Sequence, residues 1–152
     1  MTNSPNIAIV VVGAIGGAVA GALGDAGRLV TLCVRTPFRE LRVDIENSSA
    51  RYSHPIVTDP NHVEPVDWLL LCTKAHQVDG ASDWLGRLIS PTTRVAVLQN
   101  GVEHKQRVVE YVTETDRVLP CVVRLPANVV EPGHVVQNQV AKAIHVRCLR
   151  CR

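Results

Sequence analysis

The sequence predicts a single α/β domain built on a mostly parallel, doubly wound sheet. Three observations carry that reading. Apolar runs rich in Val, Ile and Leu recur along the chain, at residues 7–12, 29–34, 66–72, 93–98 and 117–123. Unbroken runs of this kind suit strands buried on both faces of a parallel sheet. The first run ends in a glycine turn and passes directly into small residues suited to a closely packed helix. Hydrophobic residues make up 46% of the chain but aromatics only 3%, so Val, Ile, Leu and Ala must build the interior. A chain of 152 residues is long enough for one domain with a sizeable core.

The opening stretch carries the strongest local signal. Gly13 and Gly16 match the second and third glycines of the dinucleotide fingerprint G-x-G-x-x-G. A small residue at Gly13 lets backbone approach a pyrophosphate, and one at Gly16 lets the helix press against the sheet. The helix start then offers free N–H groups and a partial positive charge to phosphate. The first fingerprint glycine, at the tight turn, is replaced by Val11. A β-branched residue is strained there if the turn needs a positive φ. With the fingerprint in place, the predicted fold is Rossmann-like. A rival reading is a membrane span, because residues 7–23 carry no charge and Gly17 and Gly21 form a small-xxx-small pair. Against it, residues 1–6 contain no Lys or Arg, and five glycines fall between Gly13 and Gly24. No membrane is expected as a partner.

Composition narrows the partners further. A net charge of +2 is too small to argue for nucleic acid. The five cysteines are odd in number and scattered. Cys33 and Cys72 lie in strand-like runs and read as buried thiols. Nothing calls for disulfides, so a reducing cytoplasm is the expected compartment.

After the first helix, Gly27 reads as its C′ glycine. The second strand, within residues 29–34, runs straight into Arg35. Proteins that bind NAD commonly hold the ribose hydroxyls with an acid near this point, whereas an arginine can pair with a 2′-phosphate, which favours NADP(H). A solvated surface arginine is the plainer alternative. Phe38 to Val43 reads as a short helix. Residues 46–65 read as a polar surface excursion with a brief strand at Ile56-Val57, and His54 and His62 as surface histidines.

Thr73-Lys74-Ala75 stands at the carboxyl end of the 66–72 strand, where ligands of open α/β sheets bind. A lysine there can hold phosphate or a developing oxyanion. The alternative is an exposed lysine at a helix start, where the dipole disfavours it. Residues 75–88 fit a helix with Val78, Leu85 and Leu88 on its buried face, stopped by Ser90-Pro91. The 93–98 strand ends in Gln99-Asn100-Gly101-Val102. Asn100 can orient a carbonyl or carboxamide, although Asn-Gly is also a common turn. Lys74 and Asn100 fall at equivalent levels of the sheet. Residues 103–112 read as a helix, and Glu131-Pro132-Gly133-His134 as a turn between strands. Residues 135–139 and 143–146 are weaker strand candidates. The Arg/Cys-rich tail holds Cys148-x-x-Cys151 with no second pair for zinc, so it reads as a mobile tail without metal.

Taken together, residues from about Ile7 to about His134 resemble the N-terminal half of the ketopantoate reductase family. The likeness rests on Ile7-Ala8-Ile9-Val10 with Gly13-Ala14-Ile15-Gly16-Gly17, on Arg35, on Thr73-Lys74-Ala75-His76-Gln77-Val78, on Leu98-Gln99-Asn100-Gly101-Val102 and on Glu131-Pro132-Gly133. Such enzymes reduce 2-dehydropantoate to pantoate with NADPH, on the route to pantothenate and coenzyme A. The resemblance implies that Val11, Val12, Gly13, Ala14, Ile15 and Gly16 form the phosphate loop. It implies that Arg35 and Lys74 contact the adenosine 2′-phosphate side or nearby cofactor groups, that Asn100 bridges cofactor and substrate, and that Ala127 lies near a further cofactor contact. Family members continue past residue 152 into a helical domain that supplies the proton-donating lysine and most substrate contacts, so no catalytic residue is assigned in this chain.

The expected organisation is an NADP-binding Rossmann-like domain over residues 1–134, followed by an atypical C-terminal segment, residues 135–152, that is truncated or a disordered tail. The expected partners are NADPH, a small 2-keto acid, and either a separately encoded C-terminal half or a second copy. Three readings stay open at this point. The chain is the cofactor half of a reductase with little turnover alone, a non-catalytic NADP(H)-binding module, or an inactive truncated remnant.

Overall fold

A computed structural model describes residues 4–74, 79–100, 106, 108–138 and 147–148. Its strands, in chain order, are β1 (Ile7–Val10), β2 (Thr31–Cys33), β3 (Leu41–Ile45), β4 (Ser48–Tyr52), β5 (Ile56–Val57), β6 (Trp68–Leu71), β7 (Arg94–Leu98), β8 (Val118–Val122), β9 (Ala127–Glu131), β10 (His134–Gln137) and β11 (Arg147–Cys148). Two α-helices are described, α1 (Ala14–Asp25) and α2 (Ser82–Leu88). The larger sheet has seven strands in the order β11-β8-β7-β6-β1-β2-β5. All pair in parallel except β11, which runs antiparallel to β8. The chain works outward from β1 in both directions, so the switch point of the topology lies beside β1.

Side chains alternate across this sheet. Ile9, Leu32, Ala96 and Leu98 pack with α1 on one face. Ala8, Val10, Leu69, Leu71, Val95 and Val97 pack with Trp84, Leu85 and Leu88 of α2 on the other. Helices therefore cover both faces, which is the doubly wound arrangement expected from the unbroken apolar runs. Cys33, Cys72 and Cys121 are buried free thiols. No helix among the described residues is long and apolar enough to cross a membrane.

Helix α1 is rich in glycine, a poor helix former, and is held by burial on two sides. One side faces the parallel sheet. The other carries a second sheet of four strands in the order β4-β3-β10-β9. Gly17, Gly21 and Gly24 form the seat for that second sheet. A Cβ on Gly17 would come within 2.5 Å of the Val135 side chain, and one on Gly21 within 2.9 Å of Val43. At Gly24 it would run into the Tyr52 ring. The small-xxx-small pair thus serves helix-on-sheet packing inside a globular domain. Helix α1 ends in a Schellman motif: Gly27 has φ +70, its N–H donates to the Gly24 carbonyl at 2.9 Å, and the Arg28 N–H donates to the Leu23 carbonyl at 2.8 Å.

Because the glycine seat leaves no room, Gly21→Leu should destabilise the chain by about 1–3 kcal/mol through overpacking, despite leucine's better helix propensity. Ala22→Leu, one position on at an exposed site, should be close to neutral. Urea unfolding of the two variants checks this. Equal stabilities would remove the seat.

Three expectations need correction here. Residues 38–43 do not form a helix, because Leu41–Ile45 is strand β3. Leu41 and Val43 are buried beneath α1 while Arg42 and Asp44 alternate between them, a period-2 pattern. The 46–65 excursion contains β4, which pairs antiparallel with β3. His54 is no surface residue: it is only 5% exposed. Its Nε2 lies 3.0 Å from the Ala20 carbonyl, so that nitrogen donates, and Nδ1 faces the Val30 N–H at 3.5 Å. The helix carbonyl and the imidazole satisfy each other out of water, which makes burial of this histidine affordable in free energy. His62 is exposed, as expected.

The turn at Glu131-Pro132-Gly133-His134 is present, and β10 beyond it lies in the middle of the second sheet, between β3 and β9. Residues 147–148 pair with β8 instead of trailing as a free tail. The 143–146 strand candidate and Cys151 lie outside the described residues, as do residues 103–105 and 107 of the expected 103–112 helix and residues 75–78. The second sheet is clipped together by Asp44, whose carboxylate accepts from Ser49, Arg42 and His134. The contacts to Arg42 and His134 are 2.9 and 2.7 Å. These hydrogen bonds, Ser49 foremost, hold the Asp44 carboxyl well below the usual carboxylate range.

Candidate dinucleotide-binding site

The site is assembled from the carboxyl ends of β2, β1, β6 and β7, which stand side by side in that order. At the end of β1 the chain turns through Val11-Val12-Gly13 into α1. Val11 has φ 62, the left-handed conformation that the fingerprint reserves for glycine. For a β-branched residue this costs about 1–3 kcal/mol. The turn is held by the Val11 N–H donating to the Cys33 carbonyl at 3.0 Å, and by the Val11 side chain packing against the α2-side core.

Gly13 is the N-cap of α1 and provides no side-chain cap. The first helical bond runs from the Gly17 N–H to the Gly13 carbonyl at 2.8 Å. The N–H groups of the first turn therefore have no partner within the helix, and no acidic residue stands in that turn. The two fingerprint glycines have separable roles. A Cβ on Gly13 would meet nothing within 4 Å, so this position borders open space. A Cβ on Gly16 would come 2.8 Å from the Val11 carbonyl oxygen and 3.3 Å from Ile9 and Cys72 side-chain atoms. Gly16 brings the helix start against the turn and the sheet, while Gly13 leaves the amide-rich end open. These features fit a diphosphate.

Two clefts flank the turn. One, of about 210 Å³, lies toward β2 and is lined by Val11, Val12, Gly13, Val34, Arg35, Thr36, Phe38, Val129 and Pro132. Arg35 is exposed and makes no ion pair among the described residues. The second sheet supplies the outer wall, where Gly133, at φ +80, sits against the Phe38 ring. The other cleft, of about 240 Å³, lies toward β6 and β7, with Ile15, Cys72, Thr73, Lys74, Leu98, Gln99, Asn100 and Val123 around it. Lys74 and Asn100 are exposed at its rim. Beneath them the buried Gln99 Nε2 donates to Thr73 Oγ1 at 2.6 Å. Burial, and secondarily the nearby Cys121, pushes the Cys72 thiol up to about 12. Cys72 is thus a protonated wall of the cleft and no nucleophile. A cavity of about 380 Å³ also opens at the opposite, amino-terminal edge of the sheet, the end away from which open α/β sheets bind their ligands.

Solved structures of other proteins share this fold. Residues 7–150 match the family model for ketopantoate reductase PanE/ApbA. The chain belongs to the ketopantoate reductase family. It is similar to the 2-dehydropantoate 2-reductase of Caulobacter vibrioides, with 38% identity over 135 residues that cover 88% of this chain and 46% of that protein. The corresponding Mycobacterium tuberculosis protein is 41% identical over 132 residues, covering 85% of this chain and 44% of that one. Among solved structures, a ternary structure of D-mandelate dehydrogenase with NADH and anilino(oxo)acetate superposes with a TM-score of 0.77 at 25% identity, covering 87% of this chain and 45% of that one. The chain thus spans about half the length of the relatives it matches.

Within this chain, Val11–Gly16, Arg35, Lys74 and Asn100 fall along one edge of the sheet, around the two clefts. Ala127 does not join them. It sits on β9 opposite Gln137 and packs against the core on the α1 side, lining neither cleft. Phe38, Val129 and Pro132 line the first cleft and were not expected there. The Glu131-Pro132-Gly133 turn was legible in the sequence, but its place beside Arg35 depends on the long-range pairing of β10 with β3. Thr73 and Gln99 were visible as neighbours of Lys74 and Asn100, without a role.

Proposed function

We propose that this chain binds NADP(H) and is the cofactor-binding part of an enzyme that reduces 2-dehydropantoate to pantoate. The observation that carries the reading is the row across the strand ends: an exposed arginine, an open helix start, then a lysine and an asparagine. A dinucleotide laid along that row puts its 2′-phosphate at Arg35 and its diphosphate at Gly13 and the first turn of α1. Its nicotinamide then falls toward Lys74 and Asn100. When bound, the reduced cofactor supplies a hydride to a ketone carbon. The chain's own part is to orient the reactants and to support charge. The Asn100 carboxamide can both donate and accept, which suits a group held between cofactor and substrate. The Lys74 ammonium can stabilise oxygen charge as it develops. Membership of the ketopantoate reductase family, and the NADH and anilino(oxo)acetate of the D-mandelate dehydrogenase ternary structure, support a 2-keto acid as the substrate class.

Thermal unfolding with each cofactor tests the reading. NADPH at a hundredfold excess over its dissociation constant should add about 2.7 kcal/mol of stability, and NADH should add clearly less at the same concentration. Folded protein whose melting temperature ignores NADPH would overturn the proposal. With 2-dehydropantoate added, we expect slow NADPH oxidation by the chain alone. The 240 Å³ cleft offers, among the described residues, Lys74 as its one cationic group, and the alkoxide product still requires a proton. NADPH binding with no turnover at all would favour the non-catalytic module over the reductase.

A further inference from the structure

We propose that the buried Thr73–Gln99 hydrogen bond is a positioning pair that sets the nicotinamide end of the site by holding Lys74 and Asn100 at one level. The inference rests on the cofactor reading above. Strands β6 and β7 pair in parallel with Leu71 opposite Val97. Continuing that register by two residues brings Thr73 opposite Gln99, and by one more brings Lys74 opposite Asn100. The side chains divide accordingly. Thr73 and Gln99 are 2% and 4% exposed, while Lys74 and Asn100 face solvent at the cleft rim.

Five polar residues are buried among those described: His54, Thr73, Thr93, Gln99 and Gln137. Only Thr73 and Gln99 stand at the carboxyl edge of the seven-stranded sheet. Strand stability alone does not call for them there, because an apolar pair would satisfy the same space without desolvating a hydroxyl and a carboxamide. The 2.6 Å bond does what an apolar pair cannot: it fixes one strand end against the next at the last step before the two functional side chains diverge. Thr73 and Gln99 act through Lys74 and Asn100 and need not touch the ligand.

The test uses the full chain carrying Gln99→Leu, Thr73→Val or Thr73→Ser. Two ligands are titrated, NADPH and adenosine 2′,5′-bisphosphate. The second carries the Arg35-side groups but nothing that reaches β6 or β7. Gln99→Leu and Thr73→Val should weaken NADPH about tenfold and leave the bisphosphate unchanged. Thr73→Ser, which keeps the hydroxyl, should restore NADPH affinity. An equal loss for both ligands, an unchanged NADPH affinity, or a Thr73→Val chain that no longer folds would each overturn the positioning role. NADPH binding by the parent with no response to these variants defeats this inference alone. A parent that binds neither ligand defeats the cofactor reading, and this inference with it.

Discussion

Gly16→Val is expected to destabilise the chain by about 3 kcal/mol or more, while Gly13→Ala, three residues earlier, should cost no more than about 1 kcal/mol. At Gly16 the added atoms meet the Val11 carbonyl oxygen at 2.8 Å and the Ile9 and Cys72 side chains at 3.3 Å. A backbone oxygen in a turn already held at φ 62 cannot step aside like the end of a flexible side chain. Relief must come from lifting α1 off the sheet, and that also withdraws Gly17 and Gly21 from their places under Val135 and Val43. At Gly13 an added methyl meets no protein atom within 4 Å, and the φ of −85 suits alanine. The small cost is that alanine is a poorer N-cap than glycine. The ligand should report the reverse. Gly13→Ala puts a methyl in the space the diphosphate needs and should weaken NADPH at least tenfold in a protein of near-parent stability. Urea unfolding of both variants and an NADPH titration of Gly13→Ala are sufficient. A Gly16→Val chain as stable as the parent would refute the packing argument, and a Gly13→Ala chain that binds NADPH normally would refute the diphosphate position.

The parallel sheet was readable because a strand buried on both faces announces itself as an unbroken apolar run. The tight-turn strain at Val11, the C′ role of Gly27 and the places of Arg35, Lys74 and Asn100 all followed from knowing where those runs end. The second sheet was hidden for a physical reason. Its strands are short and half polar, and the central pairing joins β3 to β10 across some 90 residues of sequence. Over Leu41–Ile45, five residues of alternation compete poorly with a helical reading of the same letters. The one local trace of that sheet was the pair Gly17 and Gly21, whose spacing says that something packs closely but not what. His54 is a similar case: its burial depends on a carbonyl 34 positions away. Ala127 lines neither cleft, and order along the chain does not say which wall of the fold a residue occupies. The Thr73–Gln99 bond needed the register between two strands, which neither strand encodes by itself.

Arg35→Ala should leave the fold intact and remove the preference for NADPH. The side chain is exposed and makes no ion pair among the described residues, so its loss should change stability by no more than about 0.5 kcal/mol. A charge-assisted hydrogen bond to phosphate is worth about 1.5–3 kcal/mol, so NADPH affinity should fall roughly 10–150-fold, with NADH nearly untouched. Two further dependences follow from the same contact. Cleft and arginine are open to solvent, so added salt should shrink the parent's NADPH preference by screening and have little effect in Arg35→Ala. A phosphate monoester takes its second negative charge as pH rises through about 6, while the guanidinium stays charged throughout. The parent's preference for NADPH over NADH should therefore increase across that range, and the variant's should stay flat. Paired titrations of the two cofactors, at two salt concentrations and on either side of pH 6, separate a phosphate contact from a general effect on the cleft. An Arg35→Ala chain that loses both cofactors equally would move the 2′-phosphate away from β2 and leave the row across the strand ends without its adenosine anchor.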